Sequence, residues 1–190
     1  YTSHMKIAFL SAYSGPVKRG VESWVNELAT RLSEEHEVVV YQLGKPSNEP
    51  YTVKTVDIPV DWEEKDMTGT KEREYDLDYW SRMLGRFTYK LLPDLIEFEP
   101  DIVFPLNGSW QLPICRNYCN YSGARMVLVG HWDMEKEFAE KPDLFVAVSE
   151  QQAERANELF DGSVEVIPNA VDMAKFNTEG EEYPLEVPEP

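Results

Sequence analysis

Basic residues are scarce. The chain of 190 residues carries 18 Lys and Arg against 35 Asp and Glu, a formal charge of −17. A field of that sign repels phosphate backbones and argues against a nucleic-acid partner. It argues equally against broad docking on anionic lipid, leaving only a local basic patch for peripheral contact with a membrane. The excess acid fits a soluble, self-repelling surface or a high-salt cytoplasm. Cysteine is as rare. Cys115 and Cys119 imply no disulfide framework. They lack two further ligands at metal spacing and read as a small buried pair on one helix face, so no metal is expected. No stretch approaches the roughly 18 apolar residues of a membrane span. With no signal peptide ahead of the first strand, a cytoplasmic chain without a transmembrane segment is expected. No Ser/His/Asp or Cys/His set has local support, and there is no internal repeat.

What is present is a globular composition, 42% apolar, of a size for one ordinary domain. Strand patterns alternate with helical ones. Lys6–Ser11, Glu37–Tyr41, Thr52–Ile58, Ile102–Phe104, Arg125–Val129, Leu144–Val148 and Val164–Ile167 read as short strands. Val21, Trp24, Val25, Leu28, Ala29 and Leu32 form one face of an amphipathic helix. Trp80, Met83, Leu84, Phe87, Leu91, Leu95 and Phe98 form a second face, which Pro93 should kink or split. A third helix is expected over Ser109–Tyr121. Ser149 opens a fourth, with the capping-box pattern Ser149-x-x-Gln152. Residues 60–75 are highly charged and read as a loop, with Trp62-Glu63-Glu64 as solvated surface. Buried-type strands separated by helices predict an α/β fold, a parallel sheet with helices on both faces.

Ligands in such sheets bind beyond the carboxyl ends of the strands, which selects three loops. The first runs Ser11 to Gly20 into a helix N-terminus, whose free N–H groups favour an anion. Gly15 and Gly20 allow close backbone approach. Lys18 and Arg19 are disfavoured there by about 0.3–1 kcal/mol each without an anion, so a phosphate or carboxylate is implied; the alternative is a loop whose charges face water. The loop has neither the G-x-G-x-x-G dinucleotide fingerprint nor a phosphate loop, because Val21-Glu22 follows Gly20. A nicotinamide enzyme is thereby disfavoured. The second loop offers Asn107 and Trp110, an amide and a flat apolar face suited to sugar hydroxyls and rings, or else an Asn-Gly turn before a helix cap. The third offers His131, placed to donate to a substrate oxygen or to titrate near neutrality, followed by Trp132 and Asp133. Asp133 is either its partner or a helix cap.

These pieces resemble retaining glycosyltransferases of family 4. Arg19-Gly20-Val21-Glu22 is similar to their Gly-Gly-x-Glu turn. Pro100-Asp101-Ile102-Val103 resembles their Pro-Asp-Val-Val, and Asp143 to Ser149 their Asp-x-Val-x-Ala-x-Ser. Val166-Ile167-Pro168-Asn169-Ala170-Val171-Asp172, with Phe176 beyond, resembles Val-Ile-Pro-Asn-Gly-Val-Asp-x-x-x-Phe. The resemblance implies the N-terminal, acceptor-binding half of a GT-B fold, a Rossmann-like domain facing a second domain that holds a nucleotide-sugar. The whole enzyme would be a hexosyltransferase of carbohydrate biosynthesis, inactive as this fragment, acting on a sugar, lipid or small-molecule acceptor. It would need no cofactor or metal besides the donor. By resemblance Gly20 approaches the donor phosphate and His131 faces the transferred sugar as the catalytic-site residue; read with the loops, Gly15, Lys18 and Arg19 join Gly20 at the phosphate, and Asn107, Trp110, Trp132 and Asp133 shape the acceptor pocket. Arg19 stands where the family has glycine, as does Ala170, which makes a positive φ costly. The alternative is a non-catalytic Rossmann-like module that binds a sugar or an anion. Residues 1–4 read as an expression-vector scar, 5–176 as the domain, and 177–190 as a linker toward the C-terminal domain.

Overall fold

The computed structural model describes residues 4–64, 71–108, 110–131 and 137–170. Seven strands form one sheet in the order β3-β2-β1-β4-β5-β6-β7. They are β1 (Lys6–Leu10), β2 (Glu37–Gln42), β3 (Thr52–Thr55), β4 (Ile102–Pro105), β5 (Arg125–Val129), β6 (Leu144–Ala147) and β7 (Val164–Val166). Every neighbouring pair is parallel. Central strands of this kind are buried on both faces, which is why β1 reads as an unbroken apolar run from Ile7 to Leu10, each at most 2% exposed.

Helix α1 (Gly20–Leu32) packs Val25 and Ala29 against Ile7, Phe9, Val38 and Val40 on one face of the sheet. The other face is covered by α3 (Tyr79–Phe98), α4 (Gln111–Ser122) and α5 (Glu150–Leu159), over Ala8, Leu10, Val39, Met126, Leu128 and Phe145. Helices therefore cover both faces, as the strand-helix alternation predicts, and the fold is the Rossmann-like parallel sheet. A short α2 (Lys71–Glu74) and a 3-10 turn at Glu137–Glu140 lie outside the predicted pattern. The 3-10 turn stacks Phe138 on Phe160 under β6.

Two local expectations are corrected. Pro93 does not split its helix, and α3 runs unbroken over 20 residues. Proline lacks the N–H that would reach the Tyr89 carbonyl, but both residues lie on the solvent side, and the buried Leu91 and Leu95 keep the packed side in register. The third strand stops at Thr55 rather than Ile58, and the Val56 N–H makes the last bond to β2, at the Gln42 carbonyl. Positive φ among the described non-glycine residues is confined to Asp76, Glu99 and Lys141, and Ala170 is not among them.

Candidate functional site

The strand order reverses direction between β1 and β4. The chain runs outward from β1 to β2 and β3 on one side, and from β4 to β7 on the other. That switch point opens a crevice beyond the carboxyl ends of the two strands, between the loop after β1 and the loop after β4. All the described sequence-predicted site residues belong to the carboxyl edge of the sheet.

The loop after β1 is folded tightly onto β2. Ser11 donates its N–H to the Tyr41 carbonyl, and the Leu43 N–H returns to the Ala12 carbonyl at 2.9 Å. Gly15 closes this contact, since a Cβ there would stand 2.1 Å from the Leu43 carbonyl oxygen. Its need for glycine is therefore packing against β2. Gly20 is different: nothing would lie within 4 Å of a Cβ on it. It is the first residue of α1, and the N-cap, Arg19, makes no side-chain capping bond. This helix end is thus not capped by a side chain at the N-cap and has open space in front of it, which favours an anion.

Arg19 and Lys18 are exposed at that end. The Arg19 guanidinium lies over the Tyr13 ring, 5.0 Å from its centroid, and reaches Glu22 at 3.2 Å. Glu22 is almost fully buried in the first turn of α1, where a carboxylate is favoured by the helix dipole. The chain's own carboxylate therefore shares this helix end with the two cations. The Arg19 side chain is 60% exposed and that of Glu22 only 4%, so solvent screens the pair on the arginine side alone.

His131 follows β5 and is brought beside α1 by the tertiary fold. Its imidazole meets the Trp24 indole edge to face, with ring centroids 4.7 Å apart. Trp24 lies one turn after Gly20, so the histidine packs against the second turn of α1, one turn from the open helix end. Burial holds the His131 pKa below the usual 6.5, leaving a neutral imidazole at pH 7.

Gln152 positions the backbone before His131. Its side chain accepts the Val148 N–H at 2.9 Å and donates to the Gly130 carbonyl at 2.8 Å, joining the ends of β5 and β6. Ser149 caps α5 through the Gln152 N–H, so half of the capping box forms. The returning half goes to Val148 and across to Gly130 rather than to Ser149. A Cβ on Gly130 would meet the Gln152 amide oxygen at 2.1 Å.

The second predicted loop serves the frame. Asn107 accepts the Ala12 N–H at 2.7 Å and so ties the loops after β1 and β4 together across the switch point. Gln111, fully buried, gathers the N–H groups of Leu106 and Asn107 on one oxygen at 2.7 and 3.0 Å. Trp110 packs over Gly85 of α3 and donates its indole N–H to the Asp76 carbonyl, with 38% of the residue exposed. Trp132 and Asp133 lie outside the described residues. Cys115 and Cys119 are both buried, as predicted.

One group at this edge escaped the sequence reading. Tyr13, Trp62, Tyr79 and Trp80 converge from three separate segments, with centroid distances of 6.5 Å for Tyr13–Trp62, 5.8 Å for Trp62–Trp80 and 5.3 Å for Tyr79–Trp80. Trp62 is therefore part of an aromatic cluster and not merely solvated surface. The available signal was the pairing of a tryptophan with an otherwise polar acidic stretch.

A Rossmann-like domain with an open helix end at its switch point and a neutral histidine beyond β5 is the class that fold and site define. The chain matches the family description Glycosyltransferase Family 4 over residues 18–175, and it belongs to that family. No protein of curated function matches it. Among solved structures it is similar to Anabaena HepE in complex with UDP and glucose, at 14% identity, over 90% of this chain and 46% of that one, with a TM-score of 0.55. It is also similar to Arabidopsis thaliana UGT89C1 complexed with UDP-L-rhamnose, at 9% identity, over 95% and 57%, with a TM-score of 0.57. The chain thus spans about half the length of the solved structures it matches, and at these identities the likeness is one of fold. Among the described residues no helix is long and apolar enough to cross a membrane.

Proposed function

We propose that this chain is the acceptor-side domain of a retaining glycosyltransferase, which moves a hexose from a nucleotide-sugar held by a second domain to an acceptor. The observation that carries the reading is the open N-terminus of α1 with His131 set beside it through Trp24. Backbone N–H groups at Gly20 and Val21 would face the departing phosphate, and Lys18 and Arg19 would add charge as it develops. Arg19, 60% exposed, would keep Glu22 neutralised from one side while its solvent side meets the phosphate, because the Glu22 side chain, 4% exposed, would be left a buried unpaired charge if Arg19 let go.

The neutral imidazole of His131 would hydrogen-bond a hydroxyl of the transferred sugar and orient it. Asn107 would act through the loops it ties, while Trp110, with Trp132 and Asp133, would bound the acceptor. No cofactor or metal enters this reading, and the location proposed is cytoplasmic, with any membrane contact peripheral. The domain alone would not turn over, because positioning needs both walls of the cleft.

The test uses the full-length protein, with UDP-glucose as the first donor because one structural relative holds UDP and glucose and the other UDP-L-rhamnose. Product anomers are read by proton NMR. Retention of the donor's anomeric configuration, with turnover lowered at least about tenfold by Arg19→Ala, is expected. Inverted product, or turnover by residues 1–190 alone, would overturn the reading.

A further inference from the structure

Trp62 is a large apolar side chain that the fold holds open. It is 45% exposed, yet its backbone and ring are fixed from several directions. The Tyr79 hydroxyl accepts the Asp61 N–H, and the Asp61 carboxylate accepts the Glu63 N–H at 3.0 Å, closing a turn around Trp62. The indole then rests on Tyr13 and Trp80. An unconstrained surface tryptophan would fold down and bury its ring. This one is propped in a fixed orientation at the carboxyl edge of the sheet, where ligands bind.

The surroundings narrow the chemistry. Tyr13 touches both Trp62 and the Arg19 guanidinium, so the platform adjoins the proposed phosphate-binding end of α1. The segment that presents Trp62 carries Asp57, Asp61, Glu63 and Glu64. Carboxylates accept hydrogen bonds from hydroxyls and repel anions, while an alkyl chain would gain nothing from them. An indole face carries negative charge and attracts the slightly positive C–H face of a sugar ring. A neutral, hydroxyl-rich ring satisfies both demands.

We propose that Trp62, backed by Tyr13 and Trp80, is the seat of the acceptor, and that the acceptor is a neutral saccharide stacked on the indole. The assignment rests on the glycosyltransferase reading for the word acceptor, but the saccharide site stands or falls by itself. Transfer would then run from a donor at the end of α1 to a hydroxyl of a ring held on the far side of Tyr13.

Saturation-transfer NMR on this chain, with maltotriose, cellotriose, chitotriose and mannotriose as probes, tests the site. At least one trisaccharide is expected to receive saturation on the C–H protons of one ring face. Trp62→Ala should weaken that binding about tenfold, the scale of one aromatic contact, and Trp62→Phe should restore most of it. Because Trp62 is 45% exposed, Trp62→Ala should keep a folded amide spectrum with shifts confined to the neighbours of the platform, and Trp80→Phe serves as a second variant that loosens the platform from below. Saturation by none of the four sugars, or binding indifferent to Trp62→Ala, overturns the proposal. Slow hydrolysis of UDP-glucose by the full-length protein separates the two readings. Hydrolysis with no saccharide binding removes the platform alone, and saccharide binding with no hydrolysis or transfer removes the enzyme alone.

Discussion

The indole of Trp24, on α1, meets the imidazole of His131, beyond β5, edge to face at 4.7 Å. Residues 107 positions apart in the chain thereby share one wall of the crevice. The contact couples the helix whose end would face the anion to the histidine that would face the sugar, so a change at either ring is felt at the other.

Trp24→Ala should expose His131 to water and cost about 3 kcal/mol of stability, the low end for a large aromatic because Trp24 is only partly buried. Burial is what depresses the His131 pKa, so the variant should return it toward 6.5. A proton NMR titration of the imidazole, paired with urea unfolding, checks both. A pKa left where it was would mean that other groups bury the ring.

The same depression makes stability depend on pH. A histidine that is harder to protonate folded than unfolded takes up fewer protons in the native state, so stability rises with pH across that window. Its contribution should be complete above the unfolded value near 6.5 and be lost as pH falls through the lower folded value. His131→Asn should flatten this part of the stability profile between pH 5 and 7.5, measured by denaturation at several pH values.

Two glycines of one loop should behave oppositely. Gly15→Ala forces a Cβ to 2.1 Å from the Leu43 carbonyl, and moving backbone aside should cost about 1–3 kcal/mol. Gly20→Ala meets nothing within 4 Å and replaces a poor helix former in α1, so stability should hold or rise by up to about 1 kcal/mol. Thermal melts of both variants decide it. In the full-length protein Gly20→Ala should still impair donor binding, because the methyl group would occupy the space before the helix end.

Asp78 is the N-cap of α3. It accepts the N–H groups of Trp80 and Ser81 at 3.1 Å each and the Ser81 hydroxyl at 2.6 Å. Burial pushes its carboxyl up, but the Ser81 hydroxyl and N–H, with the Arg73 guanidinium, outweigh that and hold it below 3.8. Asp78→Ala should therefore cost about 2 kcal/mol near neutrality. In the wild type this contribution is present above pH 3.8 and lost as pH falls through the folded value. The difference in stability between wild type and variant should narrow accordingly in acid.

Gln152→Ala should strip the Val148 N–H and the Gly130 carbonyl of their side-chain partner and cost about 1–3 kcal/mol. Amide exchange at Val148 should accelerate more than at Ala153, whose N–H stays bonded within the helix turn to the Ser149 carbonyl. Equal acceleration at both would indicate general loosening of α5 instead.

Periodicity located nearly every element because burial imprints itself locally. Arg125–Val129 matches its strand end to end, and the apolar face from Val21 to Leu32 is the face α1 buries. The errors have local causes too. Pro93 was read from its own chemistry, but packing by Leu91 and Leu95 outweighs one lost hydrogen bond. Phe138 lies in a 3-10 turn too short to show a period. Gln152 looked like half of a capping box because its longer-range partner, Gly130, is 22 positions away.

By itself the sequence determined the alternating α/β order, the parallel sheet, and the signatures that place the chain in its family. Each of these is written in neighbouring residues, through side-chain spacing of two or near 3.6 and through short motifs. Only the tertiary structure decided what the loops do. It turned Asn107 from a free ligand into a tie to Ala12, paired Arg19 with a buried Glu22, set Trp24 against His131, and gathered Tyr13, Trp62 and Trp80 into one platform. Most of these contacts join separate segments at the carboxyl edge of the sheet, and which loops meet there depends on the strand order and its reversal between β1 and β4. Side-chain pattern does not encode that order, because the inner strands β1, β2, β5 and β6 present much the same apolar code.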